Sequence, residues 1–133
     1  MEILAITDDK NFANLTGIRI KQEGHTGESI FSKALTQRDL GLAGDPIRLN
    51  GADLILVQNM GDIEGGLGMV RGLRVKTETP IILAIWGGLQ RIKNRLEVRL
   101  ATEVVDMPNT PDKFKALLEE AQGLVLPSRQ LIF

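Results

Sequence analysis

Two adjacent carboxylates, Asp8 and Asp9, follow the short apolar run Glu2-Ile3-Leu4-Ala5-Ile6-Thr7. Acids at the end of a buried strand can hold a hard cation such as Mg²⁺, which takes carboxylate oxygens and several waters. The same acids can instead cap the next helix, whose first N–H groups and dipole favour negative oxygen. A second position of chemical interest is Gln58, which ends Asp53-Leu54-Ile55-Leu56-Val57-Gln58. The turn from Asn59 to Gly66 that follows is rich in glycine and acids. An apolar run bounded by turn signals fits a strand buried on both faces. In open parallel sheets, ligands and chemistry gather at the carboxyl ends of such strands. An amide there can hydrogen-bond, but it is neither a good nucleophile nor a charged metal ligand.

Other familiar chemistry is missing. Gly65-Gly66-Leu67-Gly68 matches neither a dinucleotide nor a Walker spacing, and a turn into a helix explains it. His25 is the one histidine and has no Ser or Cys partner motif, so it reads as a turn residue. Cysteine is absent, which excludes disulfides, thiol catalysis and Cys-based zinc sites. With no nucleophile–base pair, the chain is expected not to be an enzyme.

The elements that must position these residues follow from periodicity. The length of 133 residues suits one domain. A net charge of −1 gives no global field for nucleic acid or an anionic membrane, and no apolar run is long enough to span a bilayer. A cytoplasmic location is the expectation. Buried strands are expected at 2–7, 53–58 and 81–85, with shorter ones at 28–31 and 103–107. The spacing predicts a helix from Asp9 or Lys10 to before Gly24, with Phe12, Leu15 and Ile18 at its apolar intervals and Gly17 and Ile20 fitting less well. Another is expected over Ser32–Leu42. A third carries Leu67, Val70 and Leu73, and a fourth carries Leu89, Ile92, Leu96 and Leu100. The last opens at Thr110-Pro111-Asp112, buries Phe114, Leu117, Leu118 and Ala121, and closes at Gly123. Strands alternating with helices indicate a parallel sheet covered on both faces.

The chain here resembles the receiver domain of bacterial two-component response regulators. The resemblance spans residues 2 to about 122. It rests on Ala52-Asp53-Leu54-Ile55-Leu56-Val57, on Gly66 to Arg74 with its Leu73-Arg74 pair, and on Thr79-Pro80-Ile81-Ile82. Asp8-Asp9 after the first strand and Pro108 after the fifth add to it. It implies a five-stranded, doubly wound α/β sheet of order 2-1-3-4-5, of the flavodoxin-like kind. It also implies a chemistry to test, in which an aspartate ending the third strand accepts a phosphoryl group. Mg²⁺ is then held by that aspartate and the acidic pair, while a Ser or Thr and a Lys contact the phosphoryl oxygens.

The chain departs from this pattern at three positions. Gln58 stands where the accepting Asp belongs, Ile85 where the hydroxyl belongs, and Met107 where the Lys belongs. Asp62 and Glu64 lie too far along the loop to replace the acceptor. These residues mark a degenerate phosphorylation site, with Asp8 and Asp9 as a residual metal pair whose Mg²⁺ affinity is weak without a third charge. Gln58 has two readings. Its amide donates to Asp8 or Asp9 and mimics a neutralised site, or it is a polar strand end facing solvent. Ile85, Trp86 and Met107 either fill the former pocket as core or form an apolar patch for a partner or a flat ligand.

The expectation is a phosphorylation-independent receiver-like module that works through a protein partner or a homodimer, needing no cofactor and binding no nucleic acid by itself. In response regulators the face around the fourth helix, fifth strand and fifth helix commonly meets partners. Here that face is roughly residues 88–122 and includes Arg91, Arg95, Arg99 and Lys113, with Trp86 a separate candidate for contact; its arginines also suit a solvated helix face. The alternative is a small-molecule sensor, for a flat hydrophobic ligand or nucleotide, at the carboxyl end of the sheet. The expected domain covers 1–122, followed by an apolar tail at 123–133 in which Pro127 argues against a continuous helix.

Overall fold

A computed structural model describes residues 1–31, 51–61, 63–87 and 89–130, with the backbone alone at 90, 91 and 126–130. The helix expected over Ser32–Leu42, the acid Asp62 and residues 131–133 of the tail lie outside the described residues. Five strands form one sheet: β1 (Glu2–Thr7), β2 (Thr26–Phe31), β3 (Leu54–Asn59), β4 (Ile81–Ile85) and β5 (Glu103–Asp106). Every pairing is parallel and the order is β2-β1-β3-β4-β5, as the resemblance implied. All six residues of β3 are buried, which is why Leu54 to Val57 form a continuous apolar run rather than an alternating one.

Successive side chains of a strand point to opposite faces, so the sheet makes two cores. Leu54 and Leu56 turn toward α1 (Lys10–Gln22) and the C-terminal helix, joining Ile20, Phe114, Leu117, Leu118 and Ala121. Ile55 and Val57 turn the other way, toward Leu67, Val70 and Leu73 of α2 (Ile63–Lys76). Two short helices, α3 (Leu89–Ile92) and α4 (Leu96–Leu100), complete that second face. The C-terminal helix is α5 (Pro111–Gln130).

Three helix expectations need correcting. In α1 the apolar spacing chose the wrong side. Ile18 is 54% exposed and Leu15 39%, while Thr16 and Ile20 are buried. The inward stripe is Phe12, Thr16 and Ile20, one polar residue among two apolar ones, so a search for apolar periodicity rotates the helix outward.

The single helix expected through Leu89, Ile92, Leu96 and Leu100 is broken at residues 93–95. Leu96 is 74% exposed, and Glu97 turns inward instead. Side-chain ties to α2 account for this rotation. Arg95 grips Glu64 and Glu97, with Nη2 3.0 Å from the Glu64 Oε2, and Arg71 Nη1 reaches Glu97 Oε1 at 3.2 Å. The hydrogen bond from Arg95 holds the Glu64 carboxyl below its ordinary range.

The final helix opens as expected, with Thr110 Oγ1 accepting from the Lys113 N–H at 3.2 Å. It does not close at Gly123, however, but continues through Pro127 to Gln130. A glycine in a helix interior costs only about 1 kcal/mol. Burial of Val125 and packing of Leu124 against the same core offset that.

Arg74, of the Leu73-Arg74 pair, is a clamp. Its Nε donates to the Leu100 carbonyl at 2.8 Å, and Nη1 donates to the Thr77 and Thr79 carbonyls at 3.2 and 3.0 Å. One charged donor thus ties the end of α4 to the turn entering β4. Arg74→Ala is expected to destabilise the protein by about 2 kcal/mol in urea unfolding, with Arg74→Lys recovering little because a single ammonium cannot match the fork.

Candidate functional site

The sheet register brings Thr7, Gln58 and Ala84 side by side at the carboxyl ends of β1, β3 and β4. Met107 arrives beside them through its N–H, which donates to the Ile85 carbonyl at 2.8 Å. Gln58, Ile85 and Met107 therefore lie at the same end of the sheet. Their side chains do not converge. Met107 packs in the core with α1 and α5, and Gln58 also meets α1, whereas Ile85 packs in the core with α2. Ile85 and Met107 are both buried.

Gln58 is fully buried, which removes the solvent-facing reading. It does not donate to the acidic pair either. Its Oε1 accepts from Thr16 Oγ1 at 2.8 Å, and its Nε2 has no hydrogen-bond partner among the described residues. The sequence reading missed Thr16 because a threonine within an apolar helix pattern carries no functional signal by itself. The hint was Thr16 standing between Phe12 and Ile20 at four-residue spacing.

The acidic pair divides its work. Asp9 caps α1 as one of the two readings required, its Oδ1 accepting from the Phe12 N–H at 2.8 Å. Asp8 does something not foreseen. Its two oxygens accept from the Met60 and Gly61 N–H groups at 2.8 and 2.9 Å and hold the loop that leaves β3. Among the described residues, no group of three His, Asp or Glu side chains could hold a metal. The pair as placed serves backbone donors.

Asn59, the last residue of β3, was also overlooked. It is buried, and its side chain lies so close to α2 that a Cβ at Gly66 would stand 2.1 Å from Nδ2. That close approach explains Gly66.

Trp86 is 58% exposed just beyond β4, so it is not core. Arg99 and Lys113 are exposed, and Arg95 is committed to Glu64 and Glu97. For Arg91 only the backbone is described. His25 is half-buried with Nδ1 2.9 Å from the Met1 amine. Burial lowers its pKa, the positive amine lowers it further, and Glu23 opposes both.

Burial raises the Glu103 carboxyl, as do a hydrogen bond and charge from Glu120. For a carboxyl held above its ordinary value of 4.5, the folded state is penalised at neutral pH. The penalty fades as pH falls and is gone below that value. Glu103→Gln is expected to stabilise the protein by about 0.3–1 kcal/mol at pH 7, the scale of partly exposed charge pairs, and by nothing at about pH 4. Urea midpoints at the two pH values measure this.

No family profile matches the chain, and no curated relative matches it either. Solved structures do. A response regulator receiver domain protein from Clostridium thermocellum superposes with a TM-score of 0.70 at 16% identity, covering 99% of this chain and 98% of that one. A CheY-like receiver domain from Methylobacillus flagellatus gives 0.64 at 16%, covering 90% and 97%. The C-terminal part of RcsC from Escherichia coli, which contains a linker and a phosphoreceiver domain, gives 0.71 at 19%, covering 97% of this chain. The chain spans about half (48%) of that RcsC fragment and 28% of NtrX from Brucella abortus. These likenesses establish the fold: a five-stranded parallel α/β sheet of the kind that response regulator receiver domains have.

Proposed function

We propose that the chain is a receiver-like signalling module that acts without phosphorylation, through contact with a protein partner. The observation carrying this reading is the state of the acceptor position. Gln58 is sealed in the core and bonded to Thr16, while the loop after β3 is already held by Asp8. Phosphoryl transfer needs an accessible nucleophile, a cation bridging the charges, and donors for the transferred oxygens. Gln58, Ile85 and Met107 offer no carboxylate, hydroxyl or ammonium, and Asp8 and Asp9 are engaged with backbone. No catalytic role and no cofactor follow from such a set.

The partner-facing residues are Arg99 and Lys113, which are exposed, together with Trp86 and Arg91. Arg95 also holds α4 to α2, so its substitution changes fold and contact together. The partner is a protein or a second copy of the chain, and not nucleic acid. A cytoplasmic location goes with this role, and no helix among the described residues is long and apolar enough to cross a membrane.

Incubation with acetyl phosphate and Mg²⁺ is expected to add no phosphate mass and to leave the amide spectrum unchanged. Mg²⁺-dependent phosphorylation would overturn the reading. The small-molecule alternative at the carboxyl end keeps one support, the exposed Trp86, whose fluorescence reports any ligand there.

A further inference from the structure

β5 ends the sheet, and among the described residues it pairs with β4 alone. Every residue of β4 is buried, whereas Glu103, Val104 and Val105 of β5 are half-buried and Asp106 is exposed. The backbone groups of a strand point alternately to its two edges. The Thr102 N–H donates to the Ile81 carbonyl at 2.8 Å, so Thr102 and Val104 turn their N–H and C=O groups toward β4. Glu103 and Val105 turn theirs the other way, to the open edge. Such an edge is a template for a further strand.

The side chains of β5 say what that strand must carry. Val104 faces the core of α2, beside a cleft of about 350 Å³ that Leu89, Ile92 and Val98 also line. Glu103 and Val105 face the side of the sheet that α5 covers. There Glu103 hydrogen-bonds a second carboxylate, Glu120, and meets no basic side chain among the described residues. A strand added to β5 therefore places alternate side chains beside an apolar cleft and beside two acids. A second copy of the chain answers the first need but not the second. Joined edge to edge by a two-fold axis through the sheet, it brings another Glu103 and Glu120 to the same face, adding like charge to like.

We propose that the open edge of β5 takes up an extended peptide segment in which basic and apolar residues alternate, adding one more strand to the sheet. Its main chain bonds to Glu103 and Val105, its basic side chains face Glu103 and Glu120, and an apolar side chain enters the cleft beside Val104. This rests on the reading that the chain works through a protein partner, and it names the chemistry of that partner.

The test is an amide-resolved NMR titration of the full chain with the capped peptide Lys-Val-Lys-Leu-Lys. Two controls replace every Lys by Glu, or N-methylate every internal amide so that the main chain cannot donate. The Lys peptide is expected to shift the Glu103 and Val105 amides saturably, slow their hydrogen exchange, and move the Leu89 and Val98 signals. Its Kd is expected near a millimolar, and each control should bind about tenfold more weakly. Glu103→Gln, at a half-buried position, should weaken the Lys peptide several-fold and leave the fold intact. If the Lys peptide at about 10 mM moves neither edge amide, the proposal is overturned. It is equally overturned if either control binds as well as the Lys peptide. Protection of the same two amides that grows with protein concentration, with no peptide present, also overturns it, since a second copy then holds the edge. Acetyl phosphate, not the peptide, decides whether the chain acts without phosphorylation, so either reading can fail alone.

Discussion

Gln58→Asp, which puts a carboxylate where the proposed reading places a receiver's acceptor, is expected to destabilise the protein by about 3–5 kcal/mol at pH 7 rather than to permit phosphorylation. The side chain it replaces is fully buried, and Thr16 is its hydrogen-bond partner. A carboxylate there trades water for one hydroxyl donor, and neither Ile85 nor Met107 supplies a charge or a second donor. Burial pushes such a carboxyl above the ordinary aspartate value of about 3.9, so the unfolded chain ionises first. The penalty is full at neutral pH and shrinks as pH falls, vanishing below about 3.9. Urea unfolding of parent and variant at pH 7 and pH 4.5 measures the difference, which should narrow at the lower pH. A variant as stable as the parent at pH 7 would mean that the site is wetter than its burial indicates. Stabilisation of the variant by Mg²⁺ would mean that Asp8 and Asp9 can leave their backbone donors and close a metal site.

The second large effect lies at the edge of the sheet. Gly27 of β2 pairs with Ile3 of β1 and has a φ of 133°, which side chains of L-residues rarely adopt. A Cβ there would stand 1.9 Å from the Ile3 carbonyl oxygen and 2.7 Å from the Ile3 nitrogen. Ile3 is buried in a strand between β2 and β3, so neither partner can yield without breaking the ladder. Gly27→Ala is expected to cost more than about 4 kcal/mol, much of the stability of a domain this size. Gly24 separates strain from crowding, since its φ is 78° but nothing lies within 4 Å of a Cβ built on it. Gly24→Ala should cost only about 1–2 kcal/mol. Similar losses for the two variants in denaturant unfolding would refute the close-approach argument.

How much was legible varied with the kind of signal each element carries. β4 appears at 81–85 as expected, and β3 shifts by a single residue, because a strand buried on both faces writes itself as an unbroken apolar run. The inner face of α5 was equally plain at Phe114, Leu117, Leu118 and Ala121. Its end was not, because a glycine stops a helix only when no burial opposes it, and Val125 is buried beyond Gly123. The orientation of α1 was obscured by Thr16, and that of α4 by Arg95 and Arg71, whose partners are 31 and 26 residues distant. Periodicity reports what a helix faces only when that neighbour is apolar.

The sequence by itself determined that Gln58, Ile85 and Met107 stand near the carboxyl ends of three strands, and that two acids follow β1. Chemistry of that kind is a property of residue type and needs no coordinates. What those residues do was decided only by the tertiary structure. It turned Gln58 toward Thr16, gave Asp8 to the Met60 and Gly61 backbone, and left Asp9 as a helix cap. The reason is that a buried polar group takes whatever partner the packing places within about 3 Å, and that partner can lie anywhere in the chain.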